Sequence, residues 1–181
     1  MNYKTSEHEL LEKTLKEYLK LNKKGLQVLD AMCGFWSYAS VLRDYFGQEN
    51  INELIGVDKE LLNPVREELK EIPKLFNKPL KYLISKLEDL NSDYDDRFDL
   101  ITNFRPQCTN DKMIKELMPA YNKMRLLLKK KGILFATTFN ESEKNNLITI
   151  LEKTGFKIKK VNKNKFDEEG THHGWIITAN H

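Results

Sequence analysis

The segment "VLDAMCGFWSYASVL", residues 28 to 42, limits what this chain can fold into more than any other. An apolar run ends on Asp30, passes through a tight Met32-Cys33-Gly34 segment, and becomes an amphipathic helical pattern headed by Phe35 and Trp36. A second apolar run, "NELIGVD", follows Gly47 and ends on Asp58. A strand, a helix and a strand at this spacing form a βαβ unit, whose two strands lie parallel and are joined by a right-handed crossover.

The rest of the chain continues the alternation. Leu11, Leu15, Tyr18 and Leu19 recur at helical spacing, and Lys23, Lys24 and Gly25 close that helix before the strand "LQVLD". Pro64 opens a helix, "PVREELKEI", that Pro73 ends; "LKYLI" is a third strand and "RFDLITN" a fourth. Between Asp111 and Lys129 the residues Ile114, Leu117, Met118, Tyr121, Met124 and Leu128 mark one helix face, which Pro119 is expected to break or kink. Gly132 releases the chain into "ILFATTF", the fifth strand. The helix "EKNNLITILEKT" and the strands "FKIKKV" and "WIITA" complete the series.

Strands alternating with helices predict an α/β fold, a three-layer sandwich around a mostly parallel sheet. At 181 residues the chain is one domain, with residues 1–24 as an N-terminal helix and residues 25–181 as the Rossmann-like core. Its apolar runs are too short to span a membrane, and the charged N-terminus does not resemble a signal peptide, so a cytoplasmic protein is expected. Cys33 and Cys108 are too few for a disulfide framework or a cysteine-built zinc site; both are read as reduced thiols, and no metal is expected. A net charge of +3 does not by itself call for nucleic acid.

Ligands of open α/β sheets bind beyond the carboxyl ends of the strands, where strand order reverses. Asp30, Asp58, the segment Lys86 to Leu90, Asn103 and Thr138 to Asn140 all fall at or just past strand ends. With these residues in place, the chain resembles the class I S-adenosylmethionine-dependent methyltransferases from about Gln27 to Ala179. "VLDAMCGFW" is similar to the family's first motif, "IGVDKE" to the second, "FDLITN" to the fourth-strand motif, and "GFKI" with "WIITA" to the final hairpin. The resemblance implies a seven-stranded sheet of order 3-2-1-4-5-7-6 with strand seven antiparallel. It also implies S-adenosyl-L-methionine as cofactor, held by Asp30, Met32, Cys33, Gly34, Trp36, Asp58, Leu87, Glu88 and Asn103.

The chemistry of these residues agrees. Backbone amides opening a helix attract a carboxylate, and Gly34 permits close approach. Asp58 can accept hydrogen bonds from two vicinal ribose hydroxyls, and Asp30 can orient the turn and an ammonium group. Phe35 and Trp36 either contact the sulfonium or pack on the sheet edge. Met32 and Trp36 stand where the family usually has its first and third glycines, so a wider turn is expected. Lys86 stands where an acidic residue often meets the adenine, which leaves the Leu87 amide, Glu88 or Asp89 for that contact.

The substrate side is less legible. "NFRPQC" is not the Asn/Asp-Pro-Pro-aromatic motif of enzymes that methylate base amino groups. Asn103 can place its amide near the transferred methyl, and Arg105 either holds an acidic substrate group or forms a surface ion pair. Cys108 has no neighbouring base in the sequence that would make it a nucleophile. His172 and His173 precede the last strand, either as general-base candidates or as a solvated loop pair. Lys163 and Lys165 end the basic run "KIKKVNKNK", which either protects an edge strand or tracks the phosphates of an RNA substrate.

The expected function is in-line methyl transfer from S-adenosylmethionine to a nucleophile on a small molecule or an RNA. Monomer and homodimer both stay open. The alternative is a non-catalytic S-adenosylmethionine-binding or regulatory module with a degenerate motif set. A nicotinamide oxidoreductase is disfavoured because "MCGFWS" lacks its Gly-x-Gly-x-x-Gly fingerprint.

Overall fold

β1 (Leu26–Ala31) is buried almost throughout, and its side chains alternate between the two faces of the sheet. Leu26 and Val28 join one apolar cluster, while Leu29 and Ala31 join the other on the opposite face. The computed structural model describes residues 6–21, 24–34, 38–60, 80–167 and 173–181.

Seven strands form one sheet in the order β3-β2-β1-β4-β5-β7-β6. They are β1, β2 (Ile51–Asp58), β3 (Leu80–Ile84), β4 (Phe98–Phe104), β5 (Leu128–Thr138), β6 (Lys157–Lys163) and β7 (Trp175–Asn180). Only β7 runs against its neighbours β5 and β6; the other pairings are parallel. This is the order and the orientation expected from the sequence. The chain winds outward from β1 through β2 to β3, then returns to pair β4 with the other side of β1. The carboxyl ends of β1 and β4 therefore flank the point where winding reverses, and a crevice opens there.

Helices cover both faces. α1 (Ser6–Tyr18) and α2 (Ala39–Phe46) lie over the cluster of Leu11, Leu15, Val28, Leu42, Leu54 and Phe135. α3 (Asp111–Leu127) and α4 (Glu141–Lys153) cover the cluster of Leu29, Ile101, Tyr121, Met124, Leu134 and Leu151. Among the described residues no helix is long and apolar enough to cross a membrane.

Several boundaries differ from expectation. α3 runs unbroken through Pro119. Pro119 and Lys115, whose carbonyl loses its usual donor, are both exposed, so water can satisfy that carbonyl. The burial of Ala120, Tyr121, Met124 and Leu127 holds the remaining turns on the sheet. β5 begins at Leu128 rather than after Gly132, because Leu128 already pairs with Phe98 across a register shift. α1 ends at Tyr18, short of the lysines. α2 starts at Ala39; Phe35, Trp36 and Ser37 lie outside the described residues, as does the helix expected from Pro64.

Candidate active site

The turn after β1 is held by the end of β2. The Cys33 amide donates to the Val57 carbonyl at 3.2 Å, and the Gly34 amide to Asp58 Oδ2 at 2.8 Å. The Tyr82 hydroxyl, from β3, lies 3.3 Å from the Gly34 carbonyl and 3.1 Å from that of Glu60. Gly34 has a φ of +55°, and a Cβ built on it would meet nothing among the described residues within 4 Å. The turn thus presents bare backbone at Gly34. Met32 also lies in the left-handed region, at φ +53°. For a non-glycine residue this costs on the order of 1 kcal/mol or more, the physical reason a glycine suits the position. Contacts of the Met32 side chain with the α3-side core offset that strain.

Asp30 is buried beneath this turn, with 1% of its surface exposed. Its Oδ1 accepts from the Thr102 hydroxyl at 2.8 Å, whereas Oδ2 has no hydrogen-bond partner among the described residues. Burial pushes the Asp30 carboxyl up to about 7 against the opposing pull of Thr102, and the Asp58 charge adds to the rise. Asp58 itself is half-buried, and among the described residues its Oδ1 accepts a long bond, 3.4 Å, from the Glu60 amide. Two carboxylates on adjoining strand ends, one incompletely satisfied, make a place where a cation is favoured.

Beside Asp58 lies a cavity of about 420 Å³, within the usual range for small-ligand sites. Met32, Asp58, Leu87 and Glu88 line it, with Met113 and Leu117 from α3 forming the far wall. Four residues expected at the cofactor site thus share one cavity, with Leu87 buried and Glu88 exposed.

The end of β4 has a different character. Asn103 is fully buried; its Nδ2 donates to the Ala31 carbonyl at 2.8 Å, and its Oδ1 accepts from the Tyr121 hydroxyl. Both ends of the amide therefore tie β4 to β1 and α3. Arg105, at φ +59°, donates its backbone amide to the Thr137 carbonyl at 3.0 Å. Its Nη1 donates to Glu7 Oε1, on the first turn of α1, at 2.8 Å. The Tyr38 hydroxyl donates to the same oxygen, and His173 Nε2 lies 3.9 Å from it. His173 is not a solvated loop residue as one reading of the sequence had it: it is fully buried, with Nδ1 2.8 Å from the Thr137 hydroxyl. His172 lies outside the described residues.

Cys108 is buried, its Sγ donates to the Glu143 carbonyl at 3.2 Å, and burial pushes its thiol up to about 12. A nucleophilic thiolate is not formed there. Burial likewise raises the Cys33 thiol, so Cys33 serves the site through its backbone. Lys163 and Lys165 are exposed near α1; the Lys163 carbonyl accepts from the Tyr18 hydroxyl at 3.2 Å, and Lys165 pairs with Glu17 at 2.7 Å.

No family model and no curated protein matches the chain. Solved structures do match. A 1,6-didemethyltoxoflavin-N1-methyltransferase from Burkholderia thailandensis, with 1,6-didemethyltoxoflavin and S-adenosylhomocysteine bound, superposes with a TM-score of 0.68 at 14% identity. The match covers 96% of this chain and 77% of that one. An S-adenosylmethionine-dependent methyltransferase from Aquifex aeolicus gives 0.68 at 19% identity, over 93% and 87% of the two chains. A TehB-like methyltransferase from Corynebacterium glutamicum gives 0.63 at 14%, over 96% and 86%. The fold is that of the class I S-adenosylmethionine-dependent methyltransferases. Asp30 lies at the end of β1 and Asp58 at the end of β2.

Sequence reasoning missed Glu7, Tyr38, Tyr82 and Tyr121. Tyr38 and Tyr82 had a signal, being polar-tipped aromatics next to the strand ends that carry the motifs. Glu7 had none, because its partner Arg105 lies 98 residues away.

Proposed function

We propose that this protein binds S-adenosyl-L-methionine at the β1 turn and transfers its methyl group to a nucleophile on a second substrate. The observation that carries the reading is the pair Asp30 and Asp58: a buried carboxylate with an oxygen left without a hydrogen-bond partner among the described residues, beside a second carboxylate, under a glycine turn. That acceptor set fits a ligand bearing an ammonium group and two vicinal hydroxyls. Asp30 Oδ2 would take the ammonium and Asp58 the ribose hydroxyls, while Leu87 and Met113 would line the adenine side of the cavity.

When bound, S-adenosylmethionine supplies an activated methyl carried on a positive sulfur. This chain's residues bind and orient; positioning alone can supply much of the acceleration of an in-line displacement. Asn103 holds the ends of β1 and β4 in register through its two buried hydrogen bonds. His173, buried at the same edge, is the candidate to accept a proton from the substrate nucleophile. The ion pair of Lys165 with Glu17 and the edge position of β6 favour a small-molecule acceptor over RNA.

The test is transfer of a radiolabelled methyl from S-adenosylmethionine into small-molecule and RNA fractions, with Asp58→Ala as the control. Label in the small-molecule fraction that depends on Asp58 supports the reading. Cofactor binding without transfer to either fraction would favour a non-catalytic module.

A further inference from the structure

One carboxylate oxygen at the substrate side of the sheet accepts from two donors and has a histidine beside it, the three side chains coming from separate places in the fold. Glu7 Oε1 accepts from Arg105 Nη1 at 2.8 Å and from the Tyr38 hydroxyl, and His173 Nε2 lies 3.9 Å away. Arg105 follows β4, Tyr38 precedes α2 and His173 precedes β7. The acceptor comes from the first turn of a helix at the end of the chain.

The donor side is built with more constraint than a surface ion pair requires. Arg105 holds a left-handed backbone and is fixed by its bond to Thr137. His173 is buried, oriented by the Thr137 hydroxyl, and followed by Gly174, where a Cβ would come within 2.4 Å of the Phe139 carbonyl. The close approach at Gly174 helps to fix the course of the chain beside His173. Tyr38, Phe104 and His173 meet edge to face, with centroids 5.1, 5.8 and 6.2 Å apart, and make an aromatic wall beside the carboxylate. Glu7, by contrast, precedes Leu11, Thr14 and Leu15, the buried residues of α1, so its turn can open without loss of that packing.

We propose that Arg105 and Tyr38, walled by Phe104 and His173, form a subsite for a carboxylate on the methyl acceptor, and that Glu7 occupies it as a displaceable stand-in. The proposal rests on the methyltransferase reading, and it narrows the substrate class to small molecules carrying a carboxylate next to an apolar or aromatic body. A guanidinium and a phenol on one carboxylate oxygen give directional recognition that a neutral amide cannot reproduce. In the free protein the resident glutamate competes with the substrate, so the intrinsic affinity of the subsite is masked.

The test uses benzoate as probe, with benzamide and inorganic phosphate as controls, in titrations of the wild type, Glu7→Gln, Glu7→Ala and the double variant Glu7→Gln with Arg105→Gln. Melting temperatures verify folding, and the two Glu7 variants guard against one failing to fold. Both should bind benzoate at least tenfold more tightly than wild type, the double variant should lose that gain, and benzamide should bind all four proteins alike. Equal benzoate affinity in wild type and Glu7→Gln, a matching gain for benzamide, or a larger gain for phosphate would overturn the proposal. A parallel titration with S-adenosylhomocysteine separates the two claims. Cofactor binding without the benzoate gain sinks the subsite alone, and the gain without cofactor binding sinks the methyltransferase reading alone.

Discussion

The amide of Gly34 donates to Asp58 Oδ2 across 2.8 Å, joining the turn after β1 to the end of β2. One carboxylate thus does two things. It fixes the course of the glycine turn, and it keeps lone pairs on both oxygens for a ligand's hydroxyls. The Tyr82 hydroxyl near the Gly34 carbonyl fixes the other side of the same peptide segment.

Asp30 gives the site a pH dependence whose sign is opposite to that of an ordinary salt-bridged carboxylate. Its folded-state value of about 7 lies above the ordinary 3.8, so the folded protein holds an extra proton between those limits. Stability of the ligand-free protein should fall as pH rises from about 4 to about 7. Asp30→Asn should be more stable than wild type at pH 8, by roughly 2 to 4 kcal/mol, and the two should converge near pH 4. Urea unfolding at both pH values checks this, and a variant no more stable than wild type at pH 8 would contradict it.

The same group couples proton release to cofactor binding. If an ammonium pairs with ionised Asp30, affinity for S-adenosylhomocysteine should drop about tenfold per pH unit below 7 in wild type. In Asp30→Asn the affinity should be weak and flat over that range. Titrations at pH 5.5, 6.5 and 7.5 distinguish the two behaviours.

Asn103→Ala should cost stability. The substitution strands the Ala31 carbonyl and the Tyr121 hydroxyl, both in fully buried residues, at roughly 2 to 4 kcal/mol for the two together. The midpoint of denaturant unfolding measures it. Unchanged stability would mean that the amide is not needed for the fold and is free for chemistry.

Cys108 should resist iodoacetamide at pH 8 in the folded protein and react once the chain is unfolded, since its thiol is buried and its acidity suppressed. Cys108→Ala should leave any methyl transfer intact. Rapid alkylation of the native protein would place the thiol in a different environment.

The sheet was legible in the sequence because each strand is a short apolar run punctuated by a helix period. Asp30 and Asp58 end two such runs and mark the crevice without reference to contacts. What stayed hidden was non-local. Arg105 and Glu7 are distant in sequence and meet only because α1 is laid along the α2 face, a packing decision made by Leu11 and Leu15. The hydrogen bonds that occupy the Asn103 amide come from β1 and α3 and leave no local trace in the sequence. Pro119 does not break α3, because burial of the turn that follows it outweighs the local rule.

Calorimetry with S-adenosylhomocysteine on wild type and Asp58→Ala tests the central claim most directly. Wild type should bind with one site per chain, and Asp58→Ala should bind more weakly by on the order of 1.5 to 3 kcal/mol while keeping its melting transition. Absence of binding by folded wild type, or equal affinity in the two proteins, would contradict the assignment of the β1 turn and Asp58 as the cofactor site.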